Sequence, residues 1–492
     1  MEQQRPSSKQ ARLSPEEIRA VYRAGESAVV SLVEALQDRI EQLETQAERL
    51  ERRVAQLEAR LAQNSSNSHR PPSTDGLSKP APKSLRGNTG RKPGGQPGHV
   101  GRTLQPVAKP NHIIPHRLER CPCGRCGGRS LRDRPVLDYE KRQVFELPQV
   151  SLVVTEHRAE VKTCPISGQV VRAAFPPEVN APVQYGPRFV GLMVYLNQQQ
   201  LIPSERLTQL CEDLFGQPLS EATLQAANER VASQLSDYQR AVAEQLVRAA
   251  LLHLDESGVR VEGKLHWLHV ASTERLTFYG IHSKRGTEAL EAFGIVPRCR
   301  GILMHDHWAA YFTYQDCLHA LCNQHLLREL KFLAEELHEA WAGELGGYLA
   351  YLNLRRQEQG LLNQSQFKSV LARFRALVRR GRAVHPAQSG RNRQSKAANL
   401  LDRLEAFEDC FLAFLWEPTV PFTNNQAEQD IRMIKVRQKI SGGFRTLKGA
   451  RLFARIRGYL STCRKHGLNL WWAIHQAVAG EPFIPTPSSA PV

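Results

Sequence analysis

Three acidic residues stand where carboxylates would support metal-dependent chemistry. Asp255 and Asp306 each end a short apolar run, and Glu428 falls in the first turn of a helix that follows Asn424 and Asn425. Strand ends of an α/β sheet open into a crevice where reactive groups gather. Three carboxylates from two strands and one helix suit two Mg²⁺ ions, for which Mn²⁺ can substitute. Such ions stabilise in-line displacement at a phosphodiester.

The elements that must position these acids follow from hydrophobic patterning. Apolar and alternating runs bounded by turns predict three hairpin-connected strands, then a helix, a fourth strand and a long helical stretch. This succession predicts an α/β catalytic core of ribonuclease-H-like order with a large helical insertion. The predicted strands are Leu251–Asp255, Lys264–Ser272, Leu276–His282 and Gly301–Asp306, and the predicted helical stretches are Gly286–Phe293 and residues 323–415.

The net charge of +17 is concentrated in three windows. Residues 64–135 hold 14 Lys or Arg against 3 acids, residues 351–400 hold 11 against 1, and residues 431–480 hold 11 against none. Concentrated basic patches favour a polyanion bound along an extended path. Anionic lipid is the competing polyanion, but there is no basic amphipathic helix with exposed aromatic residues. The pattern therefore favours nucleic acid over a membrane.

Residues 29–61 carry a heptad repeat of apolar residues without Gly or Pro. Leu at d with Val or Ile at most a positions favours a parallel homodimeric coiled coil. The alternative is a single amphipathic helix that folds onto its own protein. Positions d are Val29, Leu36, Leu43, Leu50 and Leu57, and positions a are Val33, Ile40, Ala47, Val54 and Leu61.

The whole chain is predicted to be multidomain. A turn at Phe215–Leu219 with Ser220 as N-cap gives a helix-turn-helix outline, although any helical hairpin shares it. Residues 64–110, which are rich in Ser, Pro, Gly and Lys or Arg, form either a plain linker or a basic arm that orders in a DNA groove. The predicted parts are a coiled-coil region (1–63), the basic arm (64–110), a cysteine module (111–180), a helical DNA-binding region (181–245), the catalytic domain (246–465, insertion about 331–415) and a C-terminal tail (466–492).

The cellular compartment is predicted from cysteine usage and from the N-terminus. Ten cysteines in 492 residues are too few for a disulfide scaffold. The first residues contain no apolar signal segment, and no apolar run reaches the ~18 residues of a membrane span. We expect a cytoplasmic protein.

Six segments resemble, block by block, the transposases of the insertion sequence 66 family. The resemblance extends over nearly the whole chain and includes the arm and the cysteine module. The segments are Leu254–Gly258 (LDESG), Lys264–Val270 (KLHWLHV), Met304–Trp308 (MHDHW), Leu321–Leu330 (LCNQHLLREL), Asn424–Glu428 (NNQAE) and Lys439–Arg445 (KISGGFR).

The resemblance implies a bacterial, nucleoid-associated DDE transposase with a ribonuclease-H-like core, whose triad maps onto Asp255, Asp306 and Glu428. Lys435, seven residues after Glu428, matches a basic residue that contacts substrate DNA, and the i, i+7 spacing puts both on one helix face. The implied partners are double-stranded DNA, as terminal inverted repeats and target, and small accessory proteins. Further candidate DNA contacts are Arg91, Lys92, Arg432, Arg437, Lys439 and Arg445.

Two other functional classes share part of this pattern. A DNA-binding repressor derived from a transposase would share the coiled coil and basic patches without needing three acids. A ribonuclease-H-like nuclease without strand transfer would need the acids but neither the dimer nor the arm. The simultaneous presence of all these features favours the transposase.

The cysteine module carries a departure from the family pattern of two Cys-x-x-Cys pairs, which indicates zinc. Cys123 and Cys126 keep the first pair, whereas Cys164 is followed by Ser167 where the last cysteine belongs. Cys121 is a further possible ligand, although it is too close to Cys123 for easy chelation by both. His116 and His157 are the other candidates for a fourth ligand. Zinc and a degenerate metal-free module both stay open.

Cys322 and His325 also have a metal-type spacing, with Cys317 and His319 just upstream. Their place at a strand-to-helix junction next to the predicted acids favours a structural or substrate-contact role over a second zinc site. In the resemblance, they correspond to a Cys/Asp-x-x-His signature between the second and third acids of several DDE superfamilies.

Overall fold

A computed structural model describes residues 13–61, 104–148, 150–387 and 394–486. The predicted DNA contacts Arg91 and Lys92, and most of the predicted arm, lie outside these residues. The chain divides into two compact units. We call the one that contains Arg240–Lys435 the sheet unit, and the one that contains Ala81–Gln239 and Val436–Thr486 the helical unit.

The described elements are numbered in chain order. The strands are β1 Val161–Thr163, β2 Val170–Arg172, β3 Leu251–Val261, β4 Lys264–Ser272, β5 Thr277–His282, β6 Ile302–His305 and β7 Leu318–Leu321. The helices are α1 Pro15–Arg23, α2 Glu26–Leu61, α3 Pro187–Val194, α4 Ser204–Phe215, α5 Glu221–Gln234, α6 Ser236–Val247, α7 Thr287–Phe293, α8 Asn323–Glu336, α9 Ala340–Gln359, α10 Gln364–Val384, α11 Lys396–Ala406, α12 Glu408–Leu412, α13 Asn425–Ser441, α14 Leu447–Lys465 and α15 Leu470–Ala479.

Helix α2 covers the predicted heptad region without interruption. It follows the short helix α1, which begins at a capping box in which Ser14 and Glu17 satisfy each other's backbone N–H groups. The apolar heptad positions of α2 are about half exposed in the single chain: Leu36, Ile40, Leu43, Leu50 and Val54. The helix is confirmed, and its pairing with a second copy stays a prediction.

The sheet unit is built around a five-stranded mixed sheet with the order β5-β4-β3-β6-β7. Strands β3, β4 and β5 form an antiparallel meander, whereas β6 and β7 run parallel to β3 and to each other. The β3–β4 turn has two residues, Glu262 and Gly263, both with positive φ, which matches the right-handed twist of a hairpin. The predicted three hairpin-connected strands and the α/β character are confirmed.

One close approach sets the spacing between the antiparallel and parallel halves of this sheet. Gly301 precedes β6, and a Cβ atom on it would lie 2.2 Å from the carbonyl oxygen of Ala249. The next residue, Ile302, donates its N–H to the carbonyl of Ala250 at 2.8 Å. Only a residue without a side chain permits this backbone contact, and it begins the β3–β6 pairing.

Helices α8 to α12 form the predicted helical insertion and share one apolar core with β6 and β7. The amphipathic spacing of these helices explains the packing, since each one buries one apolar stripe. Representative fully buried residues are Leu330, Leu345, Leu349, Phe374 and Leu401.

The helical unit contains the predicted helix-turn-helix outline together with α3, α14 and α15. Helix α4 ends at Phe215 and α5 begins at Glu221, with the Ser220 side chain accepting from the N–H of Thr223 as predicted. The Tyr238 hydroxyl donates to the Gly458 carbonyl on α14 at 3.0 Å. DNA binding by this unit stays a prediction.

The C-terminal boundaries differ from those predicted. Residues 436–465 group with the helical unit rather than with the catalytic domain. Residues 470–479 are not part of a tail, because they form α15, capped by Asn469, with Ala473, Ile474, Ala477 and Val478 buried. The apolar face of α15 explains the difference, since it packs against other helices of the unit.

The predicted cysteine module contains little regular structure in its described part. An isolated antiparallel bridge joins Arg120 to Ser130, and β1 pairs with β2 in antiparallel register. Cys123 and Cys126 lie between the bridged residues Arg120 and Ser130, and Cys164 and Ser167 lie between β1 and β2. Among the described helices of the chain, none combines the length and apolarity needed to cross a membrane.

Candidate active site

Asp255 and Asp306 are placed by the register of two neighbouring strands. β3 and β6 pair in parallel up to His253 and Met304. Each aspartate stands two residues beyond that last pair, so the two side chains project from equivalent positions on adjacent strands. Asp306 directly follows the end of β6, as predicted. Asp255 does not end its strand, because β3 continues to Val261 through its hairpin with β4.

The two aspartates interact electrostatically. Burial raises the pKa of the Asp255 carboxyl to about 8, and the negative charges of Glu256 and Asp306 add to the rise. The positive charge of Lys435 acts in the opposite sense and lowers the pKa of Asp255. A site that concentrates negative charge in this way is suited to a cation.

The loop after β6 holds Asp306 in a fixed orientation. The backbone N–H of Trp308 donates to Oδ1 of Asp306 at 3.1 Å. Between them, His307 has a φ of 75°, a left-handed conformation that is uncommon for a residue with a side chain. Strain of this kind persists where the surrounding structure imposes it, often at functional sites.

Glu256 belongs to the same acidic region, although strand alternation alone would turn it away from Asp255. Its side chain is 1% exposed and forms an ion pair with Arg285 at 2.6 Å. The Tyr311 hydroxyl donates to its other oxygen at 2.8 Å. Burial and the charge of Asp306 raise the pKa of Glu256, whereas Arg285 lowers it. Sequence reasoning missed this fourth carboxylate and its two partners.

Arg285 is held between two indole rings. Its guanidinium carbon lies 3.7 Å from the ring centroid of Trp308 and 4.9 Å from that of Trp267. Cation–π contacts of this kind fix the planar guanidinium in one orientation. Arg285 therefore links the loop after Asp306 to Glu256 on β3. No sequence spacing could have indicated this contact, because the four residues come from different elements.

The helix that carries Glu428 is attached to β3 through Asn424. The Asn424 side-chain amide donates to the carbonyl of Leu254 at 2.7 Å, and its oxygen lies 2.8 Å from Nδ1 of His253. The Asn424 backbone N–H donates to the sulfur of Cys322 at 3.2 Å. This buried amide fixes the start of α13 against the residue that precedes Asp255.

Glu428 lies next to Cys322 and His325. One ligand atom from each of these three residues lies within 4.8 Å of the other two. Oε1 of Glu428 is buried without a hydrogen-bond partner. Burial raises the pKa of the Cys322 thiol to about 11, and the charge of Glu428 adds to it. Among the described residues, the predicted triad itself does not form a group of carboxylates within 4.8 Å of one another.

The remaining predicted DNA contacts differ in exposure. Arg432, Lys435 and Lys439 are exposed on α13. Arg437 is half-buried, with its guanidinium 3.8 Å from the ring centroid of Phe444, and burial lowers its pKa to about 10. Arg445 is exposed and lies 3.3 Å from Glu221.

The cysteine module brings together a different trio from the one predicted. The sulfur atoms of Cys121, Cys123 and Cys126 lie within 4.8 Å of one another, and this group does not include Cys164. Hydrogen bonds, first from the backbone of Arg125, lower the pKa of Cys123 to about 7. Hydrogen bonds from Ser167 lower the pKa of Cys164 to about 7 as well. Three clustered thiols, of which Cys123 has a lowered pKa, are a donor set that fits zinc.

An α/β sheet whose neighbouring strands bring carboxylates together defines a candidate phosphoryl-transfer enzyme. Residues 182–452 match the family described as "Transposase IS66 family", and because this match covers more than half of the chain, the protein belongs to that family. Residues 5–105 match a family of unknown function, DUF6444.

A curated relative is similar over a short segment. The uncharacterized protein y4jO of Sinorhizobium fredii is 36% identical over 72 residues, which cover 15% of this chain and 22% of that protein. The chain thus matches about a fifth of the length of this relative.

Proposed function

We propose that this member of the transposase family catalyses Mg²⁺-dependent cleavage and strand transfer of DNA with Asp255, Asp306 and Glu428. The observation that carries the proposal is the equal offset of Asp255 and Asp306 beyond the last parallel pair of β3 and β6. Their electrostatic coupling, and the attachment of the Glu428 helix to β3 through Asn424, support it.

The sheet supports a ribonuclease-H-like core. The three antiparallel strands and the parallel strand β6 beside the first of them support the order expected from the sequence, and β7 adds a second parallel strand that was not predicted. Strand ends of an α/β sheet open into a crevice, which here would lie where the parallel pairing of β3 and β6 stops. The carboxylates that we assign to catalysis come from that place and from the helix packed beside it.

The residues fit a divalent cation of the magnesium type. The charges of Glu256 and Asp306 raise the pKa of Asp255, and Oε1 of Glu428 is buried without a hydrogen-bond partner. A bound cation would offset the first effect and satisfy the second. Carboxylate oxygens are the ligands that Mg²⁺ and Mn²⁺ take. Two bound ions would stabilise the attacking and the leaving oxygen in both steps, cleavage by water and attack of the freed 3′-OH on target DNA.

The basic residues would hold the DNA and the coiled coil would pair two copies. Exposed Arg432 and Lys435 on α13 can neutralise phosphates beside the site, and we assign the exposed Lys439 to a phosphate contact too. We assign Arg91, Lys92 and Arg445 to phosphate contacts as well. The partners we propose are terminal inverted repeats, target DNA, a second copy through residues 29–61 and small accessory proteins, on the nucleoid in the cytoplasm. Zinc in the cysteine module completes the proposal.

Charge-removing variants test the assignment. Asp255→Asn, Asp306→Asn and Glu428→Gln keep the side-chain shape but not the charge that holds Mg²⁺. Each should lower cleavage of a terminal-repeat substrate at least about 1,000-fold, as for groups that act as a unit. Binding of the same DNA should stay within about twofold, because it depends on phosphate neutralisation.

Asp316→Asn is the matched control, since Asp316 is an exposed carboxylate whose surface ion pair with Arg300 should contribute little. It should cleave like the wild type. If all three triad variants still transfer strands, the assignment of the metal-binding carboxylates is wrong. A wild-type protein that binds terminal repeats but never cleaves them with Mg²⁺ or Mn²⁺ would support the repressor instead.

A further inference from the structure

We propose that Cys322, His325 and Glu428 form a second metal site, which takes Zn²⁺ or a similar thiolate-binding divalent ion, and that its occupation inhibits the enzyme by engaging Glu428. The metal site is inferred from the positions of its three ligands and does not require Glu428 to be catalytic. The inhibition rests on the proposed function, because it requires Glu428 to act in catalysis.

The three ligands converge from two helix starts. Cys322 directly follows β7, and His325 lies in the first turn of α8, so the two side chains face the same end of the helix. Glu428 lies in the first turn of α13. With zinc bond lengths of about 2.0–2.3 Å and tetrahedral angles, neighbouring ligand atoms would be about 3.3–3.6 Å apart. The observed limit of 4.8 Å is therefore within reach of small side-chain rotations.

A buried oxygen supplies an independent reason for a cation here. Oε1 of Glu428 has no hydrogen-bond partner although it is shielded from water. A buried carboxylate oxygen without a donor is unfavourable, and each such atom in a folded protein calls for an explanation. A metal ion bound by Cys322 and His325 would supply the missing positive charge.

The surroundings hold the two helix starts in place. The backbone N–H of Asn424 donates to the sulfur of Cys322 at 3.2 Å, which ties α13 to the residue before α8. The Asn323 side chain donates to the carbonyl of Phe411 at 2.9 Å, and the Asn323 N–H donates to the carbonyl of Phe422 at 3.1 Å. Donors to a ligand sulfur and fixed ligand backbones are typical outer supports of a metal site.

The chemistry of the donors selects the ion. A thiolate, an imidazole and a carboxylate suit Zn²⁺, whereas Mg²⁺ prefers oxygen ligands alone. Three protein ligands also leave one position open. Glu428 would thus be shared between two ion types, a hard ion held with the aspartates and a softer ion held with Cys322 and His325.

Cobalt is a direct probe of the site, because tetrahedral Co²⁺ bound to thiolate has a sulfur-to-metal absorption band and intense visible bands. The full-length Cys123→Ser/Cys126→Ser variant serves as the background, since it removes the thiol cluster of the cysteine module. We expect these bands to persist in that background and to disappear when Cys322→Ser is added. Without the thiolate, Co²⁺ and Zn²⁺ should bind at least about 100-fold more weakly.

Cys299→Ser in the same background is the matched control, because Cys299 is also buried in the sheet unit but does not belong to the cluster. It should keep the bands. Absence of cobalt–thiolate absorption in the background variant overturns the proposal and leaves Cys322 as a core residue. Bands that survive Cys322→Ser overturn it as well. Neither result depends on DNA cleavage, so they are separate from a failure of the proposed catalytic function.

Inhibition is measured as the ratio of each protein's Mg²⁺-dependent cleavage rate with and without zinc. At a zinc concentration ten times the Kd, mass action leaves about a tenth of the sites free. The cleavage rate of the background variant should therefore fall about tenfold. Adding Cys322→Ser should reduce that loss to less than about twofold, since its site binds at least 100-fold more weakly. An equal zinc effect in both proteins would show that zinc acts elsewhere, and would overturn the inhibitory role while the cobalt result stands.

Discussion

The carboxyl group of Asp255 interacts electrostatically with the neighbouring charged groups of the acidic region. Its pKa rises from 3.8 to about 8, first through burial and then through Glu256 and Asp306. The folded protein therefore binds this proton more tightly than the unfolded chain does. Stability from this group is complete below about pH 4 and is lost as the pH rises to about 8.

We therefore predict that the metal-free protein loses thermal stability between pH 4 and 8 more steeply than Asp255→Asn, which cannot ionise. Thermal unfolding in a chelator across this range measures the two slopes. Adding Mg²⁺ should reduce the wild-type slope, because the ion stabilises the ionised form. Parallel pH profiles for the two proteins would contradict the shifted pKa of Asp255.

Two basic residues of α13 should behave differently despite being two positions apart. Lys435 is exposed, so Lys435→Ala should weaken DNA binding and lower the slope of log K against log salt by about one unit. Arg437 packs over the rings of Phe444 and Phe453. Arg437→Ala should instead lower the free energy of unfolding by about 1 kcal/mol through the lost cation–π contacts.

Fluorescence anisotropy at several salt concentrations measures the first effect, and urea unfolding measures the second. Each variant is the control for the other. A salt slope that changes with Arg437→Ala and not with Lys435→Ala would reverse the two assignments. Arg437 was predicted from the sequence as a DNA contact, and its half-buried position between aromatic rings supports a packing role instead.

At the scale of elements, the heptad face of α2 lacks a partner within the described chain that would bury it. Leu43 and Leu50 are about half exposed in the single chain, a state that a parallel partner helix would change. Changing both to Asp would place charges in the predicted seam, at a cost of about 3–5 kcal/mol for each uncompensated buried charge. We predict that the double variant is monomeric.

Sedimentation velocity of the full chain measures its oligomeric state. Glu41→Asp and Glu48→Asp, outside the a and d positions, form the control pair and should leave the dimer intact. A Leu43→Asp/Leu50→Asp protein that still sediments as a dimer would place the dimer contact elsewhere in the chain.

Secondary structure around the sheet could be predicted because each element carries a local signal. The alternation of Lys264–Ser272 gave the bounds of β4, and Ser220 marked the start of α5. The end of β3 was misjudged because Glu256, Ser257 and Gly258 are polar or small. The strand continues there because its hairpin with β4 supplies backbone hydrogen bonds, which patterning along one segment does not show.

Contacts between distant segments could not be predicted from spacing. Cys322 and Glu428 are separated by more than a hundred residues, and their proximity depends on how α8 and α13 pack. Strand alternation alone would turn Glu256 away from Asp255, yet its ion pair with Arg285 and its coupling to Asp306 make it part of the acidic region. These relations require the tertiary structure.

At the scale of the whole molecule, positive charge and acidic groups occupy separate stretches of chain. The three basic windows contain few acids, whereas Asp255, Glu256 and Asp306 lie in a stretch between them. In the proposed function, basic residues bind phosphate and the acids bind the cation, so the charge-removing variants of the acids are expected to spare DNA affinity.

The backbone contact at Gly301 limits what can be concluded from the presence of all three predicted acids. Any side chain at this position would collide with the Ala249 carbonyl and push β6 away from β3, which would separate Asp306 from Asp255 although neither residue had changed. Mobile elements accumulate mutations as their copies age. On the proposed function, a copy that retains all three carboxylates but has lost this glycine would be inactive, so a survey of functional copies in a genome should examine residue 301 as well as the acids.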